Sequence, residues 1–235
     1  MAKMTLLEMT QSILSAMDSD PVDSIDETVE AIQVADIVKE AFFELMSQRD
    51  WPFLFNTGSL QGLGDVNNPT KMKMPDTWKK VKWIKYNKKT ITYIDPESFT
   101  EMIDNRAALA GVINANGYVI NADPIYWTSF DDTFIIFDGF NNSAESTLQA
   151  SNSKAYAAIA PTWSHVDSFV PALPEKFFPT LLAESKSQAF VNLKQQSNNR
   201  EERKAQRGRM AMRNEAWRND EASIKFNRKV NYGRK

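Results

Sequence analysis

The apolar residues of this chain change their period twice. Over residues 5–49 they recur every three or four positions. Over residues 53–171 they fall in short runs rich in β-branched and aromatic side chains, separated by Asn, Gly, Asp and Lys turns, and beyond Pro174 the longer period returns. A helix buries a stripe of period 3.6 and a strand buries a face of period two, so no single element type accommodates both patterns. The expected class is α+β: a helical bundle of two N-terminal helices and a long later helix, an inserted β-rich subdomain, and an extended C-terminal arm. The expected divisions are 1–52 for the N-terminal helices, 53–172 for the insertion with one helix inside it, 173–199 for the later bundle helix and 200–235 for the arm. A length of 235 residues suffices for one core with a subdomain set into it.

Local signals place the helices. Thr5 and Glu8 have the spacing of a capping box, in which hydroxyl and carboxylate satisfy each other's free backbone N–H groups. Leu6, Met9, Ile13 and Met17 then share a face until Pro21 breaks the helix. Ser24 and Glu27 repeat the same signal and predict the start of a second helix, whose buried face is Ala31, Val34, Ala35, Val38, Phe42, Leu45 and Met46. It should stop near Arg49, because Trp51 precedes a proline. In the insertion, strands are expected at 81–86, 90–94, 118–120, 126–130 and 133–137. A helix with Asp95 as N-cap and Pro96 at its first position should run to about Ala110 and bury Phe99, Met102, Ile103 and Leu109. The later helix carries a seam of Phe178, Leu182, Ser185, Ala189 and Leu193, flanked by Leu181 and Phe190, and should pack on the first two helices.

Charge is unevenly spread. The last thirty-six residues hold twelve Lys/Arg against five Asp/Glu, a net of +7, while the preceding 199 hold sixteen against twenty-five. Charge blocks of this kind commonly form interaction tails. Here Met210, Trp217 and Ile224 also recur at seven-residue intervals, about two helical turns, which a merely solvated tail has no reason to maintain. Such anchors belong to an amphipathic segment laid in a partner's groove. The polar break at 195–199 predicts that the body ends there and folds without the arm. Gly208 would weaken the arm as an isolated helix by ~1 kcal/mol relative to alanine.

A second basic feature lies between Lys71 and Lys89, with eight lysines and one acid around Trp78, Trp83 and Tyr86. Cations interleaved with aromatics suit single-stranded nucleic acid, through phosphate contacts and base stacking. Lysines also protect strand edges, and the aromatics alternate as inward strand residues would. A nucleic-acid-binding protein using residues 71–89 and the arm is therefore the alternative function.

Catalytic patterns are sparse. Ser164, His165 and Asp167 lie too close in sequence for a triad, whose members come from separate loops. The acid pairs Asp131/Asp132, Asp95/Glu97 and Glu101/Asp104 fit a turn or a helix start as well as they fit glycoside cleavage. Gly58, Gly62 and Gly64 lack the Gly-Lys-Ser/Thr of a phosphate loop. One histidine and no cysteine exclude thiolate zinc sites and disulfides. No run approaches the ~18 apolar residues of a membrane span, and the first residues show a helical period with a glutamate in it instead of a signal peptide's apolar block. The expectation is a non-enzyme with no cofactor, no metal and no membrane partner.

Three segments resemble one family. They are the first helix followed by Pro21-Val22-Asp23-Ser24-Ile25-Asp26-Glu27, the helix exit Arg49-Asp50-Trp51-Pro52-Phe53, and Leu173-Pro174-Glu175-Lys176-Phe177-Phe178 opening a helix that carries Ala183 and Ala189. In this order the chain is similar to the head-to-tail adaptors of short-tailed phages, also called tail tubular protein A. The resemblance implies a virion protein at the head–tail junction, made in the host cytoplasm and assembled as a ring of twelve beneath the portal. Its ring would extend the channel through which double-stranded DNA passes without sequence-specific binding, and its lower surface would meet the next tail component, a nozzle or tube protein. The family's C-terminal segments pack against the portal. Here that role would fall on Arg200, Arg203, Lys204, Arg207, Arg209, Met210, Arg213, Trp217, Arg218, Ile224, Arg228 and Lys229.

Overall fold

The structure, a computed structural model, describes residues 3–107 and 117–227, with the side chains of Ala107 and of 218–227 left aside. The fold is α+β: among the described residues, five α-helices and an eight-stranded mixed sheet. The chain divides into two compact units. One joins Met1–Phe53 to Pro161–Lys235, and the other is the continuous stretch Leu54–Ala160.

In the first unit, helix α1 (Leu6–Ala16) opens with the capping box: Thr5 Oγ1 accepts from Glu8 N at 3.2 Å and Thr5 N donates to Glu8 Oε2 at 2.7 Å. Two more of its first-turn donors, Leu6 N and Leu7 N, reach the carbonyls of Phe169 and Asp167 at 2.8 and 3.2 Å. These are N–H groups that a helix start leaves without internal partners. Leu6, Met9, Ile13 and Met17 are all buried. Helix α2 (Val29–Ser47) buries the seven residues its period predicts, but it does not begin at Ser24. Its N-cap is Thr28, which accepts from Ala31 N. Ser24 and Glu27 instead shape a turn: Glu27 Oε2 takes Asp23 N, while Ser24 Oγ and Ile25 N donate to Asp167 Oδ1.

Asp167 belongs to a strip, residues 161–173, that was expected to close the β insertion and instead packs with the helices. Its Trp163 ring lies 5.5 Å from Phe42 and 4.8 Å from Phe169. The insertion therefore ends at Ala160 and not at 172. After a short 3₁₀ turn, Glu175–Phe177, comes α4 (Phe178–Lys194), which contacts α1, α2 and the last helix, α5 (Asn199–Asn227). Flanked on two sides, α4 buries more than one stripe. Leu181, Ala183 and Glu184 are buried along with Phe178, Ser185 and Ala189, whereas Leu182 and Leu193 of the expected seam are half-buried.

The second unit is a sheet in the order β1-β8-β4-β5-β6-β7-β3-β2. Its strands are β1 (Phe55–Gly58), β2 (Gln61–Gly62), β3 (Lys71–Lys73), β4 (Trp78–Tyr86), β5 (Lys89–Tyr93), β6 (Tyr126–Thr128), β7 (Phe134–Phe137) and β8 (Ser153–Ile159). All pairings are antiparallel except β5 with β6. Met72 on β3, near one end of that order, shares a buried cluster with Ala155 on β8, near the other, so the sheet curls around its core. Ile84, Tyr86, Ile91, Trp127, Ile135 and Phe137 fill it. Tyr86 donates from its phenol to Glu145 and accepts from Gln149 N at 2.9 Å, and burial pushes that hydroxyl well above its ordinary pKa.

Residues 118–120 form only a bridge, Val119 with Gly139, and not a strand. Helix α3 (Pro96–Ala107) starts as expected, with Asp95 Oδ1 accepting from Ser98 N at 3.0 Å. Phe99 and Ile103 are buried, Met102 is half-buried, and the expected continuation through Leu109 to Ala110 lies outside the described residues. The helix is tied to the sheet by Arg106, whose guanidinium meets the buried carboxylate of Asp138 at 3.0 Å. Asp138 also accepts from Ile125 N and Tyr126 N, so its charge is fully engaged.

Candidate docking face on the C-terminal helix

The break at 195–199 is a tight reversal between two helices. Gln195 takes a left-handed conformation (φ 55°), and its N–H returns to Phe190 O, closing α4. Asn198 Oδ1 then accepts from Glu201 N at 3.3 Å, and Glu201 and Glu202 in the first turn favour the positive end of the new helix. Helix α5 runs back along α4: Gly208 faces Thr180, Arg209 faces Glu184 and Glu215 faces Lys176.

The helix advances about 100° per residue, so 205, 208, 212 and 216 fall within an arc of about 80°. That arc is the buried one, with Ala205 2%, Met212 0% and Ala216 3% exposed. A Cβ on Gly208 would sit 2.3 Å from Thr180 Oγ1, so glycine is what lets the two helix backbones approach. The glycine that weakens an isolated helix is here a packing requirement. Three arm cations are already engaged, two of them by the body. Arg209 pairs with the buried Glu184 at 3.4 Å, Arg213 donates to Gln48 Oε1 at 3.3 Å, and Lys204 pairs with Glu201 of its own helix. The body expected to fold without residues 200–235 thus has part of its own interior built from them.

The opposite arc, again about 80° wide, carries Arg203, Arg207, Met210, Asn214 and Trp217. Met210 is 55% and Trp217 63% exposed. Arg200, Arg203 and Arg207 are exposed and have no ion-pair or hydrogen-bond partner among the described residues. Of the remaining predicted residues, Arg218 and Ile224 lie on α5 where side chains are not described, and Arg228 and Lys229 lie outside the described residues.

Against the inner arc of α5 the two proline-aromatic motifs, distant in sequence, come together. Trp51, Pro52 and Phe53, with Pro174, Lys176 and Phe177, line a cleft of about 300 Å³ whose remaining wall is Met212, Glu215 and Ala216 of α5. Trp51 is fixed by its Nε1–H to Leu45 O at 2.9 Å and stacks on Phe53 at 6.1 Å. Phe53 in turn lies 6.1 Å from Phe177. Nothing in the spacing of these motifs indicates that the C-terminal helix completes their cleft.

The other residues weighed for chemistry have structural work. His165 lies 4.0 Å from Asp26, and Asp167 caps the turn at Ile25. Asp131 Oδ1 accepts from Thr133 N and Phe134 N, two bonds that hold its carboxyl below the usual range, and Asp132 follows at a positive φ of 54°. The pair is a hairpin turn. Among the described residues no cluster of three His, Cys, Asp or Glu is placed to hold a metal, and no helix is long and apolar enough to cross a membrane.

Within residues 71–89 the aromatics do not all point inward. Tyr86 is in the core, but Trp83 lies on the outer face, stacked 5.8 Å from Tyr156, which stacks 5.2 Å from Phe55. Trp83 and Tyr86 stand three residues apart with regular register between them, so the pleat alone puts them on opposite faces. The sequence matches no protein-family model and no curated protein.

Proposed function

We propose that this chain is a structural virion protein, a head-to-tail adaptor. Its α1, α2, α4 and α5 form a helical bundle with the β unit as an insertion. Twelve copies form a ring beneath the portal, extend the DNA channel and present a lower surface to the next tail protein. Duplex DNA passes through without sequence-specific contacts, and the protein acts without catalysis or cofactor.

The supporting observation is the outward face of α5. A helix held firmly by its inner side displays a tryptophan, a methionine and three unpaired arginines to solvent. Tryptophan and arginine are the residue types that dominate binding hot spots. Exposed ion pairs contribute only ~0–1 kcal/mol each, so affinity should come from Trp217 and Met210, with Arg200, Arg203 and Arg207 steering approach to an acidic portal surface. Repetition around a ring adds avidity that one arm lacks.

The test is native mass measurement of the full chain mixed with the portal protein of the same genome. Wild type should assemble onto the portal. Trp217→Ala should weaken attachment by about 2 kcal/mol per site or more, roughly thirtyfold, while leaving the melting temperature unchanged. Unaltered attachment in a Trp217→Ala/Arg203→Glu/Arg207→Glu triple variant would remove this face from the mechanism.

A further inference from the structure

We propose that a lysine-lined cleft on the outer face of β1, β8 and β4 binds phosphate-class anions. This site does not depend on the adaptor assignment. The cleft measures about 600 Å³ and is lined by Lys85, Lys88, Lys154, Thr57, Ser59 and Ser151. Among the described residues no Asp or Glu lines it.

Three features make this more than a solvated patch. Lys85 on β4 and Lys154 on β8 are register partners, so their side chains leave the same face of the sheet directly opposite each other. Like charges in that position repel and destabilise the pairing. Lys88 adds a third positive charge from the turn between β4 and β5, where Asn87 and Lys88 both have positive φ, 46° and 66°. Glycine occupies such a position without steric cost, and lysine does not. Finally, these three lysines have no carboxylate partner among the described residues, whereas nearby lysines do: Lys73 pairs with Asp76 at 2.8 Å and Lys89 with Asp123 at 3.1 Å. Lys85 is held in place over the Trp83 ring, 5.4 Å from its centroid. The uncompensated charge and the hydroxyl rim together describe a site for a multiply charged oxyanion.

The ligand class follows from charge and shape. A single carboxylate would leave two of the three lysines uncompensated, whereas phosphoryl groups offer several strong acceptor oxygens and more charge. The volume accommodates more than one phosphate group, so the ligand is a polyphosphate or a length of nucleic-acid backbone. The aromatic rings on this face of the sheet are engaged with one another and with lysines. Trp83, Tyr156 and Phe55 stack on one another, and Lys85 and Lys82 cover the two end rings. None of these three rings lines the cleft, so any nucleic acid bound in it is held through its phosphates and its affinity falls steeply with salt.

The test uses the full chain, inorganic tripolyphosphate followed by calorimetry at low salt, and a short duplex oligonucleotide followed by anisotropy. Tripolyphosphate should bind saturably, and a Lys85→Gln/Lys154→Gln variant should bind it about tenfold or more weakly, the size expected for losing charge-assisted contacts. Lys73→Gln should bind like wild type. Oligonucleotide binding that competes with tripolyphosphate and falls in the same double variant identifies the nucleic-acid backbone as the source. Oligonucleotide binding that is absent or unaffected by the variant identifies free polyphosphate. Failure of tripolyphosphate to saturate, or equal affinity in the double variant, overturns the site.

Discussion

Met210 and Met212 stand two residues apart on α5 and differ in almost every physical respect. Met212 is fully buried against the body, in an arc with Ala205, Gly208 and Ala216, while Met210 is more than half exposed in an arc with Arg203, Arg207 and Trp217. The inner arc is built from small residues that let helices approach closely. The outer arc is built from long, charged and aromatic residues that reach outward. One helix therefore serves as interior wall on one side and as display surface on the other. The two faces are not independent. Rigid seating of the inner arc fixes where Trp217 and the unpaired arginines point, and a pre-ordered anchor loses less conformational entropy on binding than a disordered tail would.

The same side chain at two stations gives the largest expected contrast. Met212→Ala should destabilise the chain by about 2–5 kcal/mol, the range for emptying a buried methionine site. Met210→Ala should stay within about 0.5 kcal/mol of wild type, as for other exposed positions. Denaturant titration of both variants measures the difference directly. Equal small effects would mean that α5 is not seated on α4, and the outward face would lose its anchor.

Much of this was readable from local sequence, and what was not has a common physical origin. The Thr5/Glu8 cap, the α2 stripe and the Asp95-Pro96 start depend on residues within a turn of one another, and all three appear in the structure. At the start of α2 Ser24 and Thr28 both resemble caps, and the choice is settled by Asp167, 142 residues beyond Ile25. Strand β8, Ser153–Ile159, is rich in alanine and shows little β propensity. It forms because β1 and β4 pair with it on both sides. The inner arc of α5 is silent in the sequence for a related reason. Ala205, Gly208 and Ala216 add little to a hydrophobic period, so Met210 and Trp217 dominated the pattern and only the outward face was visible. The cross-strand pairing of Lys85 with Lys154 is equally non-local.

Gly208 sharpens the comparison through the sign of its effect. Helix propensity alone says that Gly208→Ala should stabilise α5 by ~1 kcal/mol. On the inner arc, however, the new methyl would meet the buried, β-branched Thr180 at 2.3 Å from Oγ1. Thr180 would have to change rotamer or the helices would have to separate, at a cost of about 1–3 kcal/mol. Thermal melts should therefore show net destabilisation. A second variant, Gly208→Ala/Thr180→Ala, should recover much of the loss, because it removes the side chain that the methyl strikes. A stabilised single variant would place Gly208 on the outer arc and reverse the orientation of the helix.

The smallest expected effect concerns Glu184, a carboxylate buried beneath the inner arc. Burial raises its pKa, Arg209 at 3.4 Å opposes that rise, and Glu44 and Glu202 reinforce it. One of its oxygens, Oε2, has no hydrogen-bond partner among the described residues. A carboxyl whose folded pKa is raised binds its proton more tightly in the native chain than in the unfolded one. Its contribution to stability is thus fully present below the unfolded value and is lost as pH rises through the folded pKa. Glu184→Gln resembles the protonated acid at every pH and keeps an oxygen for Arg209. The variant and wild type should therefore melt at similar temperatures in acid, and the variant should melt higher at neutral pH. The gap should open as pH climbs from the ordinary glutamate range. Should the variant melt lower at neutral pH, attraction to Arg209 outweighs burial, and the inner arc is held by its ion pair more than by the close packing of Ala205, Gly208, Met212 and Ala216.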